Sequence, residues 1–346
     1  MDGLDVDTAV RFRDKAVQKH VVRQAGIRVA RTVVIDDIRD LEPAAVELFP
    51  RSVLKPVAGA GTSLTTVIDD RGDLDAAVRR ARDGASGPRT FVLEEYVAGR
   101  ELTADGVVVD GELAFVGLGY YEQPCLTTII AQQRMQTYKL DPSSDASTYD
   151  RVVPTVRGAL AALGLRDGVF HMELFHDVET DEVWFSECAA RRGGGLIHEE
   201  IDRKFSVDLG DAALRAAAGL APELEPAVRP GVVGATFLPQ QEGILLECPS
   251  AGDLLSRPSV EYARIELPVG FHMRGSVSDT IGRVGQVLLR TPSMPAFLAA
   301  SNDTVAWFSE RMVVLPTTLS PAELRDRQAF QLDGSLDGIA SLASVA

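Results

Sequence analysis

The spacing of apolar residues changes period several times along the chain, and each change marks an element. Between Arg13 and Ala25, the residues Ala16, Val17, Val21 and Val22 fall near a 3.6-residue period, with Gly26 as a stop, which predicts a helix. Arg31 to Ile35 and Ser52 to Lys55 predict strands, and a third strand, Leu64 to Ile68, follows a glycine-rich turn. Leu74 to Arg82 returns to the helical pattern and ends at Gly84, and Thr90 to Val97 reads as a buried strand by its Phe-Val-Leu centre. This order predicts a small, lid-like α+β unit.

From Glu101 the pattern becomes strand-rich. Glu101 to Val109 and Glu112 to Gly119 flank Asp110-Gly111, and Asp-Gly between apolar runs is a strong hairpin signal. Tyr120 to Asp145 is mixed in character and reads as a loop region that contributes to a substrate pocket, being aromatic and rich in Gln and Thr. Arg151 to Leu163 predicts a helix ending at Gly164; two strands, Val169 to Phe175 and Glu182 to Ala189, come next, followed by a glycine-rich turn. Ser206 to Ala218 predicts a helix, Pro222 to Pro230 a boundary, Val232 to Leu289 a β-rich module and Pro295 to Ser309 a final helix. The last ~25 residues are polar, bear Gly and Ser, and are expected to be mobile.

Length and composition narrow the class. With 346 residues the chain can bury a sizeable core in two or three units, and its 45% apolar and 25% charged residues are the balance of a soluble globular protein. No apolar run approaches the ~20 residues needed to span a bilayer. The opening MDGLDVDTAVRFRDK has no apolar stretch of the kind a signal peptide needs. Cys125, Cys188 and Cys248 are odd in number and widely spaced, which argues against a disulfide framework or zinc site and fits a reducing cytoplasm. A formal net charge of −15 argues against a nucleic-acid partner, although a few placed lysines, glycines and a divalent ion can still bind phosphate.

The candidate chemistry begins at the turn Val178-Glu179-Thr180-Asp181. A hairpin centred near Thr180 sets Glu173 opposite Glu187 on one face, where like charges destabilise each other. Such a pair implies a cation between the carboxylates, and ligation by one or two carboxylates plus a polyphosphate is the habit of Mg2+. A solvated glutamate on a surface hairpin satisfies the same spacing, so both readings stand. The small residues of Val57 to Ser63, with Gly59 and Gly61, let backbone N–H groups approach phosphate, as they also suit an ordinary hairpin; no Walker A signature follows. Lys55, ending an apolar strand, either snorkels to solvent or serves phosphate oxygens as a point charge. Phe91 to Glu101 is an apolar strand meeting acids, able to offer backbone groups to a purine edge and an acid to ribose. Arg191 and Arg192, on a tight turn beyond Glu187, suit an oxyanion or merely offset surface acidity.

The order of these segments resembles the ATP-grasp superfamily over roughly Phe12 to Ile201, and the string Glu-Cys-Ala-Ala-Arg-Arg-Gly-Gly-Gly, with Asp279 to Leu289, resembles its amino-acid ligase branch. The resemblance implies an α+β ATP-grasp fold, two subdomains gripping ATP with a β-rich C-terminal extension. It divides the chain into an N-terminal helix and linker (1–30), a small lid subdomain (31–98), a large subdomain (99–225) and a C-terminal module with its tail (226–346). It implies that Lys15, Lys55, Gly59, Gly61 and Ser63 serve the nucleotide phosphates, that Glu94, Glu95 and Val97 form the adenine hinge, and that Glu101 reaches ribose. By the same likeness Glu173 and Glu187 hold Mg2+, and Arg191, with Lys55, acts on the acyl phosphate.

The implied reaction is ATP-dependent ligation of a small carboxylate to an amine through an acyl phosphate, giving an amide, ADP and phosphate. His171, on the same side as Glu173, suits either phosphate contact or packing. Two rival readings are a bicarbonate-using carboxylating enzyme and a nucleotide-binding subunit without turnover. The second is suggested by Ala189, where many relatives carry a metal-ligating Asn, and by the α/β domain that usually precedes the first helix. That domain is expected to be missing or supplied by a partner chain, and a homodimer is the default assembly.

Overall fold

The computed structural model describes residues 4–37, 51–59, 61–83, 90–274, 282–317, 319 and 323. The expected stop at Gly84, Ala60 of the glycine turn, Asp279 to Ile281 of the C-terminal motif and the tail beyond Glu323 lie outside those residues. Two helices open the chain. Helix α1 (Val6–Arg11) is capped by Asp5, whose carboxylate accepts from the Thr8 N–H at 2.8 Å, and α2 (Lys15–Gln24) by Asp14, which accepts from Ala16 and Val17. The apolar spacing marked α2 well; α1 escaped it because Val6 and Val10 face solvent.

An antiparallel four-stranded sheet, in the order β1-β4-β2-β3, combines β1 (Thr32–Ile35), β2 (Ser52–Pro56), β3 (Thr66–Ile68) and β4 (Phe91–Glu95). Helix α3 (Arg71–Asp83) packs on it around Leu54, Ile68, Leu74, Phe91 and Leu93. The sheet and its helix together form a small α+β layer.

Eight further strands build one antiparallel sheet in the order β12-β14-β10-β7-β6-β5-β8-β9. Its members are β5 (Arg100–Val109), β6 (Glu112–Tyr121), β7 (Gln136–Lys139), β8 (Gly168–Asp177), β9 (Glu182–Ala189), β10 (Val232–Leu238), β12 (Val260–Ile265) and β14 (Gly285–Thr291). A three-stranded sheet of β11 (Gly243–Glu247), β13 (His272–Met273) and β15 (Val313–Leu315) completes the fold. Because β10 pairs with β7, residues after 225 extend the large subdomain's sheet instead of standing apart from it.

The faces of this sheet are sharply unequal. Leu102, Ala104, Met172 and Leu174 point to a core closed by α2 and α5 (Ala146–Leu163), which ends at Gly164 in the left-handed region. The opposite face carries Glu101, Thr103 and Asp105, then turns apolar at Val107, where α6 (Ile197–Phe205) and α7 (Leu209–Ala217) cover it with Ile201, Phe205 and Leu209. One end of that face is thereby left open.

The stretch Tyr120 to Asp145, read as a loop, holds α4 (Cys125–Ile130) and the interior strand β7. Its side chains include Gln136, Thr137 and Lys139, all buried, so a polar interior strand shows none of the apolar alternation that marks its neighbours. In the C-terminal part, the short α8 (Ala251–Leu255) and the long α9 (Met294–Arg311) pack around Leu254, Val287, Phe297 and Phe308. Among the described residues, no helix is long and apolar enough to cross a membrane.

Gly106 makes the closest approach in the central sheet. A Cβ there would lie 2.1 Å from the Phe115 carbonyl oxygen and 2.9 Å from the Phe170 ring. Gly106→Ala is expected to destabilise the fold by about 1–3 kcal/mol or more, read as a lower Tm in thermal unfolding.

Candidate active site

Between the four-stranded sheet and the open end of the large sheet lies a cleft of about 810 Å³. Its acidic floor depends on an irregularity in the β8–β9 hairpin. Continued unbroken from the turn, where Asp177 pairs with Glu182, the register would set Glu173 opposite Ser186. A bulge between the Leu174↔Phe185 and Glu173↔Glu187 pairs shifts it, so that Glu173 faces Glu187 as the hairpin centre at Thr180 implied. Glu101, on β5 next to β8, adds a third carboxylate to the lining.

Helix α2 supplies the opposing charge. Gln18 docks it on β9 through a reciprocal amide pair, its Nε2 donating to the Cys188 carbonyl at 2.6 Å and its Oε1 accepting from the Cys188 N–H at 2.9 Å. This fixes Lys15 over Glu187, with which it forms an ion pair, while its ammonium also donates to the Gly59 carbonyl at 3.3 Å. One turn on, Lys19 reaches Glu94 at 2.9 Å, and Lys55 reaches the same Glu94 oxygen at 2.9 Å. Lys19 escaped the sequence reading; its signal is the four-residue spacing from Lys15, which puts both on one helical face.

Two lysines on one carboxylate leave a buried excess positive charge. Burial is the largest influence on Lys19 and, with Lys55 beside it, brings its ammonium from 10.5 down to about 8, against the pull of Glu94. Burial also works to raise the Glu94 carboxyl, but the two lysines together outweigh it and hold it below its usual value. At Lys55, burial is outweighed by Glu94, Glu187 and Glu173, and the net shift is upward.

The other acids differ. Burial, followed by the charge of Glu173, lifts Glu101 to about 8, and its Oε2 accepts from the Cys125 N–H at 2.6 Å. Glu173 receives the Tyr121 hydroxyl at 3.4 Å and stands 3.5 Å from His171 Nε2. Beneath it runs a polar network without an obvious sequence signature. His171 Nδ1 meets Asp105 at 2.7 Å, Asp105 pairs with Lys139 at 3.2 Å, and Glu200 pairs with Lys139 at 3.5 Å and accepts from Thr137 at 2.6 Å. Gly193 closes over this network; a Cβ there would lie 3.0 Å from both Asp105 Oδ1 and His171 Nδ1.

Burial tends to lower His171, but the charge and hydrogen bond of Asp105, helped by Glu173, raise it from 6.5 to about 10. A raised histidine stabilises the fold fully below its unfolded value, and that contribution fades as pH rises through about 10. Asp105→Asn leaves buried cations without their acid and is expected to cost about 3–5 kcal/mol at neutral pH. The difference from wild type, followed by denaturant unfolding across pH, should shrink as the solution passes pH 10.

The cleft thus gathers Lys15, Lys55, Gly59, Gly61, Glu94, Glu95, Val97, Glu101, Glu173, Glu187 and Arg191. Of the two acids expected at the adenine hinge, Glu94 pairs with Lys19 and Lys55, and Glu95 pairs with Arg31 at 2.6 Å. Ser63 is exposed and outside the lining; the neighbouring Thr62, at φ 60°, lines the cleft. Arg191 is exposed at the rim, donating to the Arg192 carbonyl at 2.7 Å. Among the described residues no cluster of three or more His, Cys, Asp or Glu forms a metal cage. Two facing carboxylates, of which Glu187 is already engaged by the Lys15 ammonium, do suit Mg2+, which needs only one or two protein oxygens when phosphates supply others.

A family model described as an ATP-grasp domain matches residues 49–200. An L-arginine-specific L-amino acid ligase of Bacillus subtilis is 25% identical over 248 residues, covering 71% of this chain and 59% of that protein, so the chain spans less than two thirds of this relative's length. In structure, the chain resembles the L-amino acid ligase of Bacillus licheniformis, with a TM-score of 0.71 at 20% identity, over 92% of this chain and 75% of that one. It also resembles a carboxyaminoimidazole ribonucleotide synthase of Aspergillus clavatus complexed with ATP, with a TM-score of 0.65 at 18% identity, over 87% and 75%. Those likenesses establish an ATP-grasp fold, and the match to the ATP-grasp domain model, over residues 49–200, falls on the cleft-bearing strands.

Proposed function

We propose that the chain is an ATP-dependent carboxylate–amine ligase that forms an amide bond through an acyl phosphate, releasing ADP and phosphate. The observation that carries this reading is the pair Glu173–Glu187, set face to face by a bulge and balanced by Lys15. Like charges so placed are costly unless a cation joins them. The B. subtilis relative, by its name an amino acid ligase, supports the same chemistry.

In this proposal Glu173 and Glu187 hold Mg2+, which when bound neutralises phosphate charge. Lys15 and Lys55 exchange their glutamates for phosphate oxygens, with Gly59, Gly61 and Thr62 covering the triphosphate. Val97 and the backbone of Glu94 and Glu95 take the base edge, and Glu101 takes ribose. The substrate carboxylate attacks the γ-phosphorus as the bond to ADP breaks; the amine nitrogen then attacks the acyl carbon and phosphate departs. Arg191 steadies the oxyanion, since placed charge is the main requirement of such steps. Closure of the lid over the acyl phosphate excludes water.

ADP release measured with pairs of amino acids tests this reading. Release that needs both a carboxylate and an amine supports it. Release driven by bicarbonate without an amine, or ATP binding without ADP formation under any pair, contradicts it.

A further inference from the structure

We infer that the substrate end of the cleft receives an apolar side chain and rejects a cationic one, an inference that rests on the ligase reading and narrows its substrate class. The order of strands fixes where that end lies. Crossing the sheet from Glu173 on β8, Tyr121 stands two strands away, Met135 precedes the third, and Phe237 lies on the fourth. At ~4.8 Å per strand, the lateral steps are roughly 10, 14 and 19 Å. The register puts all three on the same face as Glu101 and Glu173: Gly119, two residues before Tyr121, opposes Thr103, Thr137 opposes Tyr121, and the Phe237 N–H donates to the Met135 carbonyl at 3.1 Å. A wall therefore starts at the carboxylates, where the Tyr121 hydroxyl lies 3.4 Å from Glu173, and runs outward through Met135 to Phe237.

The chemistry of that wall is one-sided. Tyr121 and Met135 pack with Cys125 and Phe237 in one apolar cluster, and α4 adds Leu126 and Ile130 to the lining. Ile130 is 63% exposed at the cleft, so its side chain is free to meet that of a ligand. The charged group at the far end of this wall is Arg283, which stacks over the Phe237 ring at 4.3 Å and is held by Glu266 at 2.7 Å. Glu266 also accepts from Gln286 at 2.6 Å and pairs with Arg264 at 2.8 Å, so it is not offered to a ligand. One Glu101 oxygen accepts from the Cys125 N–H, and in the proposed reading this carboxylate is taken up by ribose. A cationic side chain entering here would exchange water for apolar surface under a guanidinium. Leucine or phenylalanine would bury its side chain in its place, an advantage over glycine of about 10- to 100-fold.

The test follows ADP release by the full chain with glycine, leucine, phenylalanine, lysine and arginine, each against a fixed set of co-substrates. Leucine or phenylalanine should half-saturate at about 10- to 100-fold lower concentration than glycine, with lysine and arginine ineffective. Ile130→Glu, at an exposed position that tolerates charge, should weaken leucine and admit lysine or arginine. Wild-type stimulation by arginine equal to that by leucine overturns this inference and leaves the ligase reading standing. If no pair stimulates release, the ligase reading falls first. Binding with a non-hydrolysable ATP analogue, read by thermal shift, then decides the wall alone. Stabilisation by leucine above arginine supports an apolar subsite; the reverse, or equality, overturns it.

Discussion

Glu187→Gln is expected to lower ADP formation by about 10²–10³-fold while leaving the fold intact, as removal of one placed electrostatic group commonly does. The substitution preserves shape and hydrogen-bonding capacity but removes the charge that Glu187 presents beside Glu173 and that Lys15 now answers. Its effect should therefore appear chiefly in metal–nucleotide binding and turnover. Circular dichroism and Tm should stay close to wild type, because the Glu187 side chain is about one-third exposed and lies outside the apolar core. Full turnover by this variant would remove Glu187 from the metal site.

The second large effect concerns stability. Glu94→Gln strands Lys19 and Lys55 without the acid both depend on, in a site where Glu94 is only 4% exposed. Breaking a buried ion pair from one side costs about 3–5 kcal/mol, and each kcal/mol lowers Tm by roughly 1–2 °C in a chain of 346 residues. Lys19→Met should behave oppositely: it removes the surplus cation, leaves Lys55 and Glu94 matched one to one, and should change Tm little. A pH series separates the two. Glu94 has a depressed folded pKa, so its contribution is present above the unfolded carboxylate value and is lost as pH falls through the folded one. Glu94→Gln should abolish that acid-side loss. Equal destabilisation by both substitutions would contradict the two-lysine arrangement.

The contrast between these residues shows what the sequence made legible. Glu173 and Glu187 were readable because a hairpin's period of two turns spacing into facing, although the hidden bulge, not the turn alone, makes that pairing true. Lys55 and the glycines stood out beside an apolar strand, since a polar group at an apolar boundary is visible in one dimension. Lys19, Asp105, Lys139 and Glu200 were not, because each is buried among polar partners brought from far along the chain. Strand β7 failed to register for the same reason: its inner face is the polar site, so its sequence resembles a loop. Long-range polar burial leaves no period, and the functional face of this sheet is built from it.

The central claim is transfer of the γ-phosphoryl group to a substrate carboxylate before the amine attacks. The direct measurement supplies an amino acid labelled with 18O in its carboxylate, with ATP, Mg2+ and an acceptor amine, and follows the label by mass spectrometry. One labelled oxygen per product should appear in inorganic phosphate. Phosphate free of label, formed alongside amide product, would contradict an acyl phosphate and with it the role given to this cleft.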